Sequence, residues 1–334
     1  MYKDRKKIYR DIENFRDTKL LVYVTGDRRG LETKISQEVL DFFIHHLDLI
    51  GNVPKISLLL YTKGGNTLAA WSIVNLINQF CDDFEVIIPS KALSAGTLIS
   101  LGANPIVMTK QATLGPIDPS VNTPLNPQIP GAPPTTKFPV NVEAINGFIE
   151  LAKEIKESTA SDNSNVLSIL SQHVHPLVLG EVYRTINQIR MLGKRLLSRN
   201  INDSEKIDKI LSFLCSESGS HDYTIYADEA KELGLLIENP NPTLYNSIRT
   251  LYNDIADELK LATPFNPIIE LAGKQTSHYL HNRALVESFA GGSHKFISKG
   301  ELIKQQITDP QGITKTSIQD NRSFEGWDHE HENE

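Results

Sequence analysis

Four short apolar runs in the first 115 residues constrain the fold most. LLVYV (residues 20–24), KISLLLY (55–61), FEVIIP (84–89) and NPIVMT (104–109) are each too short for an ordinary helix. They carry apolar residues with little alternation, as strands buried on both faces do. The second and third runs bracket a segment from Leu68 to Phe80 in which Leu68, Trp71, Val74 and Ile77 recur at three- and four-residue spacing. That spacing predicts an amphipathic helix with one face in the core. Strand and helix in this alternation build a largely parallel sheet, hence an α/β architecture.

The text then changes. Between residues 116 and 139 lie eight of the chain's 17 prolines. Proline fixes φ and cannot donate to a β-ladder, so this stretch reads as a structured loop or extended arm. From 142 to about 216 the pattern is helical again, in VEAINGFIELAKEIKE, HPLVLGEVYRTINQIRMLGKRLLSR and DSEKIDKILSFLCSE. In YADEAKELGLLIE, Gly234 marks a helix stop before a strand-like Leu235 to Ile237. A further helix over about 243–261 precedes a loop-rich end with a strand at ALVESF, and the acidic FEGWDHEHENE is expected to be mobile.

Thirty-four Lys and Arg against 41 Asp and Glu give a net charge of −7, which argues against nucleic acid or an anionic membrane surface as partner. Cys81 and Cys215 are far apart and show neither metal-ligand spacing nor a disulfide framework, which fits a reducing, cytoplasmic compartment. MYKDRKKIYR is basic but no apolar core follows it, and no uninterrupted apolar run reaches about 18 residues. Neither a signal peptide nor stable membrane insertion is expected.

Two turns carry the candidate chemistry. YTKGGN (61–66) follows a buried strand and opens a helix, so the Gly64 and Gly65 amides can point into a cleft, although two glycines also simply permit a tight turn. SKALSAGTLISLGA (90–103) repeats the layout, with Ser94 ahead of a helix from about Ala95 to Gly102. Ser94 reads either as an N-cap or as a nucleophile. Both turns fall off the carboxyl ends of strands, where open α/β sheets place their ligands.

A strand with KGG, a strand with LSAG opening a helix, and then ATLGPIDP resemble the Clp-protease and crotonase superfamily. Within it the chain is most similar to the serine dehydrogenase proteinase family, relatives of signal peptide peptidase A and the Clp proteolytic subunit. The resemblance covers about residues 20–120, resumes at 221–237, and extends loosely through 175–184 and 285–288. It implies a spiral of β-β-α units with a helical insertion at about 141–217 and a C-terminal extension. The implied organisation is an N-terminal helical arm (1–19), a peptidase domain (20–262) and an extension with an acidic tail (263–334). By the same resemblance Ser94 takes the nucleophile's position, Gly65 and Ala95 supply oxyanion-hole amides beside Gly64, and Asp222 in HDYTIYADEAKELGLLIE takes the triad aspartate's position.

One departure matters: no histidine lies between Ser94 and His173, where the Clp subunit carries its catalytic one. The signal peptide peptidase relatives use a Ser-Lys dyad, and Lys137 is the only lysine between 111 and 152. Lys137 and His221 beside Asp222 are therefore the two candidate bases. His173 with His175 and His329 with His331 have two-residue spacing but read as surface or helix-entry histidines, so no metal is expected. No G-x-G-x-x-G follows a strand, so no nicotinamide cofactor is expected. The resulting expectation is an ATP-independent serine peptidase, homo-oligomeric, cleaving peptides or unfolded protein segments through a Ser94 acyl-enzyme. A catalytically silent scaffold or sensing module is the main alternative. A crotonase-like acyl-CoA enzyme is the other; it would need paired carboxylates near the oxyanion amides, and the sequence offers no such pair beyond Asp118.

Overall fold

The computed structural model describes residues 2–117, 120–133, 135–158, 163–217, 220, 222–308 and 314–329. The chain divides into two compact units, Met1–Leu114 with Tyr226–Glu334, and Gly115–Ile225.

The first unit is built on a sheet of eight strands among the described residues. The strands β1 (Lys19–Thr25), β2 (Val53–Tyr61) and β3 (Cys81–Ile88) follow one another, and after the short β4 (Lys91–Ala92) comes β5 (Ile106–Met108). β1, β2, β3 and β5 run parallel in that order. Every residue of β1 after Lys19 is buried, the signature of a strand covered on both faces. On one face α1 (Tyr2–Arg16) and, far along the chain, α10 (Pro242–Glu258) pack Tyr9, Ile12, Leu244, Ile248 and Leu251 against Leu20, Val22 and Val24. Each such fully buried side chain contributes about 1.5–3 kcal/mol relative to exposure. The other face carries α2 (Leu40–Ile50), α3 (Thr67–Ile77) and α4 (Ala95–Ser100); Phe43 of α2 meets Tyr23 edge-on with ring centroids 5.4 Å apart.

Short second strands complete the β-β-α units. β4 pairs in parallel with β6 (Thr113–Leu114), and Thr62 bridges to Ala92 as Ile35 does to Gly65. Each main strand thus adds a residue or two to a small second layer before its helix starts. This is the Clp-like α/β spiral.

Helix α3 corrects one expectation. Its buried stripe is Ala69, Ala70, Ile73, Val74 and Ile77, whereas Leu68 is 42% exposed and Trp71 half-buried. The Asn66 side chain caps the helix by accepting from the Ala69 amide at 2.9 Å, and the paired alanines let the helix approach α2 and α4 closely. The stripe is therefore rotated by about one residue from the reading that favoured the largest side chains.

The C-terminal region corrects another. In place of a loop-rich end and a mobile tail, β10 (Thr276–Ser288), β11 (Gly292–Thr308) and β12 (Thr314–His329) form an antiparallel meander whose first strand pairs with β1. FEGWDH lies in β12. Polar alternating sequence is marginal alone, but here the ladder pairs its amides and Trp327 stacks near Phe42 (4.8 Å) and Phe296 (5.7 Å). β11 also brings Lys295 to Glu258 (2.6 Å), which shares the fully buried Arg5 with Glu287 at 2.8 and 2.7 Å. Beyond β5, α9 (Ala227–Leu233) ends at Gly234 in the left-handed conformation and leads into β9 (Ile237–Glu238), which pairs with β5. The small α11 (Pro267–Leu271) precedes β10.

The second unit holds the proline-rich arm and, among the described residues, four α-helices and a π-helical turn at Phe213–Glu217. β7 (Ser120–Val121) pairs antiparallel with β8 (Val140–Asn141), and the intervening loop is organised around buried Asn126, whose amide donates to the Val121 and Phe138 carbonyls at 2.6 and 3.0 Å. The helices α5 (Val142–Ser158), α6 (Asn163–His173), α7 (Pro176–Leu197) and α8 (Ser204–Ser212) follow. Val121, Val140, Val142, Ile145, Val178 and Val182 form this unit's core. No helix among the described residues is long and apolar enough to cross a membrane.

Candidate active site

The two turns singled out in the sequence meet off the carboxyl ends of β2 and β3. Gly64 has φ +104°, and a Cβ there would stand 2.8 Å from both the Leu93 carbonyl oxygen and Ser94 Cβ, and 3.1 Å from Ala95 N. Only glycine lets the KGG backbone lie against the serine turn. Gly65 (φ +149°) is as tightly held: a Cβ would meet the Ile35 oxygen and nitrogen at 2.4 and 2.5 Å. The Ile35 amide donates to Gly64 O and the Asn66 amide to Ile35 O, both at 2.9 Å, so the glycine pair is clamped from both sides.

Ser94 has φ 52° and ψ −112°, outside the left-handed helical basin. For a residue with a Cβ this is a strained conformation of the kind that clusters at active sites. The strand-to-helix turn forces it: the Leu93 amide bonds Thr62 O at 3.0 Å, then the Gly96 amide bonds back to Leu93 O at 2.8 Å, so the chain reverses over Ser94. Gly96 explains the small residues of LSAG, since a Cβ there would lie 2.4 Å from Thr62 Cγ2. Thr62 is itself held by the Thr25 hydroxyl at 2.6 Å.

Ser94 occupies the N-cap position of α4, yet its half-buried side chain makes no capping bond and has no hydrogen-bond partner among the described residues. The Ala95 and Gly65 amides likewise have no acceptor among the described residues. Gly64 differs from the sequence reading, because its amide donates to Thr62 Oγ1 at 2.9 Å and is not free to receive a ligand.

Nearby, Lys91 of β4, three residues ahead of Ser94, commits its ammonium to Asp27 at 2.6 Å, and Tyr61 donates to the same carboxylate at 2.8 Å. Burial opposes ionisation of Asp27, but these hydrogen bonds and the Lys63 charge outweigh it and hold its pKa below the ordinary carboxylate value. Sequence reasoning missed this cluster, because Asp27, Tyr61 and Lys91 are far apart in the chain. A cavity of about 560 Å³ opens elsewhere in the unit, off the end of β5, between Met108, Lys110, Tyr226, Asp228 and Tyr245; Ser94 does not line it.

Lys137 and Asp222 lie in the second unit. Lys137 is half-buried and bridges to Gln128 across the proline-rich arm, while Asp222 is exposed in a turn with its amide bonded to the Ser220 hydroxyl at 3.2 Å. His221, Asp118 and His331 lie outside the described residues. His175 is a helix-entry residue as read: its Nδ1 caps α7 by accepting from the Leu177 amide at 3.2 Å. His329 departs from its surface reading, being half-buried with its ring 4.4 Å from that of His294.

The strained serine lies between a glycine-pair turn and a short helix, on the parallel sheet of β-β-α units that makes the Clp-like α/β fold. Residues 1–131 match the family model described as ClpP-like SDH-type serine proteinase, the serine dehydrogenase proteinase family that the two turns resemble. An uncharacterized protein of Methanocaldococcus jannaschii is 28% identical over 262 residues, covering 74% of this chain and 78% of its own length. A second from the same organism is 27% identical over 197 residues, covering 59% and 56%. Among solved structures, ClpP1 from Listeria monocytogenes is similar at 16% identity and a TM-score of 0.37, over 70% of this chain and 98% of that one. A mutant of the 1510-N membrane-bound stomatin-specific protease in complex with a substrate peptide is 20% identical at a TM-score of 0.37, over 66% of this chain and 75% of that one.

Proposed function

We propose that the chain is a serine peptidase that cleaves peptides or unfolded protein segments, without a nucleotide, through an acyl-enzyme on Ser94. The observation that carries this reading is the strained Ser94 backbone with an uncapped hydroxyl. A serine kept only to cap α4 would adopt extended φ and ψ and bond an amide of the first turn. Strain without that bond is accounted for by a task the hydroxyl performs elsewhere.

In this mechanism Ser94 Oγ attacks the scissile carbonyl and loses its proton to a base. The Gly65 and Ala95 amides then donate to the tetrahedral oxyanion, and the leaving amine departs with a proton returned by the base. Water repeats the attack on the ester. Lys137 is the first candidate base, and His221 with Asp222 is the second. The match to a serine-proteinase family model over the segment that contains Ser94 supports the reaction class. The reading extends to a cytoplasmic homo-oligomer, with residues 20–262 as the peptidase domain between the N-terminal arm and the C-terminal extension.

A fluorophosphonate probe tests it directly. Wild-type protein should be labelled at Ser94 and should cleave a peptide library, and Ser94→Ala should lose both while staying folded. A folded Ser94→Ala protein that cleaves at the wild-type rate would reject the mechanism, and a wild-type protein that neither labels nor cleaves would favour the scaffold reading.

A further inference from the structure

We propose that His45, His294 and His329 bind one divalent transition-metal ion of the zinc class and thereby clamp α2 to the C-terminal meander. Three distant segments converge here. His294 and His329 are direct cross-strand partners in the β11–β12 ladder, so their register is set by the strand pairing. His45 reaches them from α2, its ring 5.0 Å from that of His294 and 6.2 Å from that of His329. One imidazole nitrogen from each residue lies within 4.8 Å of the other two. Metal–nitrogen bonds of about 2.0–2.1 Å in a tetrahedron separate the nitrogens by about 3.3 Å, so a small closing movement is required. His45, the exposed member of the set, can supply it by side-chain rotation.

The surroundings are those of a built site. Metal-bound imidazoles are usually oriented through their second nitrogen. His294 Nδ1 lies 3.1 Å from Nε2 of the fully buried His46, whose Nδ1 lies 2.7 Å from Ser288 Oγ. That leaves His294 Nε2 for a metal. Ser288 Oγ is held in turn by the Gly291 amide at 2.8 Å. A Cβ on Gly291 would lie 2.2 Å from His46 Nδ1, so glycine there admits the supporting ring. Phe42, 5.1 Å from the His294 ring and 4.8 Å from Trp327, forms an apolar wall. Three imidazoles with no carboxylate among them suit zinc, and also cobalt, nickel or copper, and do not suit calcium or magnesium. His45 is exposed, so an ion can reach the cluster from solvent.

Calorimetric titration of the untagged, chelator-treated full chain with Zn²⁺ near neutral pH tests the site. The expected result is saturable binding of one ion per chain, and a rise in the unfolding temperature with Zn²⁺. His45→Gln and His329→Gln, at the exposed and half-buried ligands, should keep the metal-free unfolding temperature and each weaken Zn²⁺ by at least about 100-fold. His173→Gln with His175→Gln should leave the affinity unchanged. Co²⁺ should give the intense visible bands of a four-coordinate site in the wild type and lose them in His45→Gln. Absence of saturable binding, or wild-type affinity in both His45→Gln and His329→Gln, overturns the proposal. None of these readouts depends on peptidase activity.

Discussion

Replacing Ser94 by glycine separates the cap from the nucleophile without any substrate. The φ of 52° and ψ of −112° at a residue with a Cβ cost about 1–3 kcal/mol. Glycine removes that strain but gives the unfolded chain extra freedom, which offsets about 0.5–1 kcal/mol of the gain. No capping bond is lost, because the Ser94 side chain makes none. The net expectation for Ser94→Gly is a stabilisation centred on about 1 kcal/mol. Ser94→Ala keeps the Cβ and the strain, so its stability should stay within about 0.5 kcal/mol of wild type. A satisfied N-cap predicts the opposite signs: alanine would cost about 0.5–2 kcal/mol and glycine a few tenths. Urea unfolding of the three proteins, compared at a common slope, measures these differences. Destabilisation in both variants would refute the strained-nucleophile reasoning whatever the enzyme assays report.

Gly96→Ala places a Cβ 2.4 Å from Thr62 Cγ2 and should cost about 1–3 kcal/mol in urea unfolding; Thr62→Ser in the same chain, which removes that methyl and keeps the hydroxyl, should recover part of the loss. Burial alone would raise the pKa of Glu85, but bonds from Arg16, Lys55 and Ser57 outweigh it and hold it below 4.5. Its contribution is therefore complete above the ordinary carboxylate pKa and disappears as pH falls through the lowered folded value. Glu85→Gln should cost about 3–5 kcal/mol near neutral pH and flatten the acid limb of a stability–pH profile, and an unchanged limb would refute the assignment. Lys137→Arg keeps the charge but cannot accept a proton, so it should be folded and inactive; full activity would reject Lys137 and direct the same test to His221→Gln, which should then be inactive, with the activity of the parent protein falling off at about pH 6–7.

The parallel strands could be read directly because strands buried on both faces are apolar nearly throughout, and LLVYV or FEVIIP, whose one charged residue Glu85 is paired by Arg16 and Lys55, allow few other structures. The turn residues were also visible: a glycine pair after one strand and a serine among small residues after the next. Their burial and approach distances show why larger residues are excluded at Gly64, Gly65 and Gly96. The buried face of α3 was misread because hydrophobicity favoured Leu68 and Trp71, whereas close packing favoured Ala69 and Ala70. Residues 314–329 were misread because local composition does not report a ladder formed with residues 292–308.

The periodicity and turn chemistry of residues 20–114, by themselves, determined an α/β sheet with Ser94 and Gly65 at carboxyl ends of strands, since both signals are local and need only a few neighbouring residues. Everything that depends on contacts distant in the chain waited for the tertiary structure: the strained φ of Ser94, the Gly65 and Ala95 amides without an acceptor among the described residues, the engagement of Gly64 by Thr62, and the meeting of His45, His294 and His329. A strand's apolar pattern is imposed residue by residue. The partner of a hydroxyl, an amide or an imidazole is decided only when the folded chain brings the other group within reach.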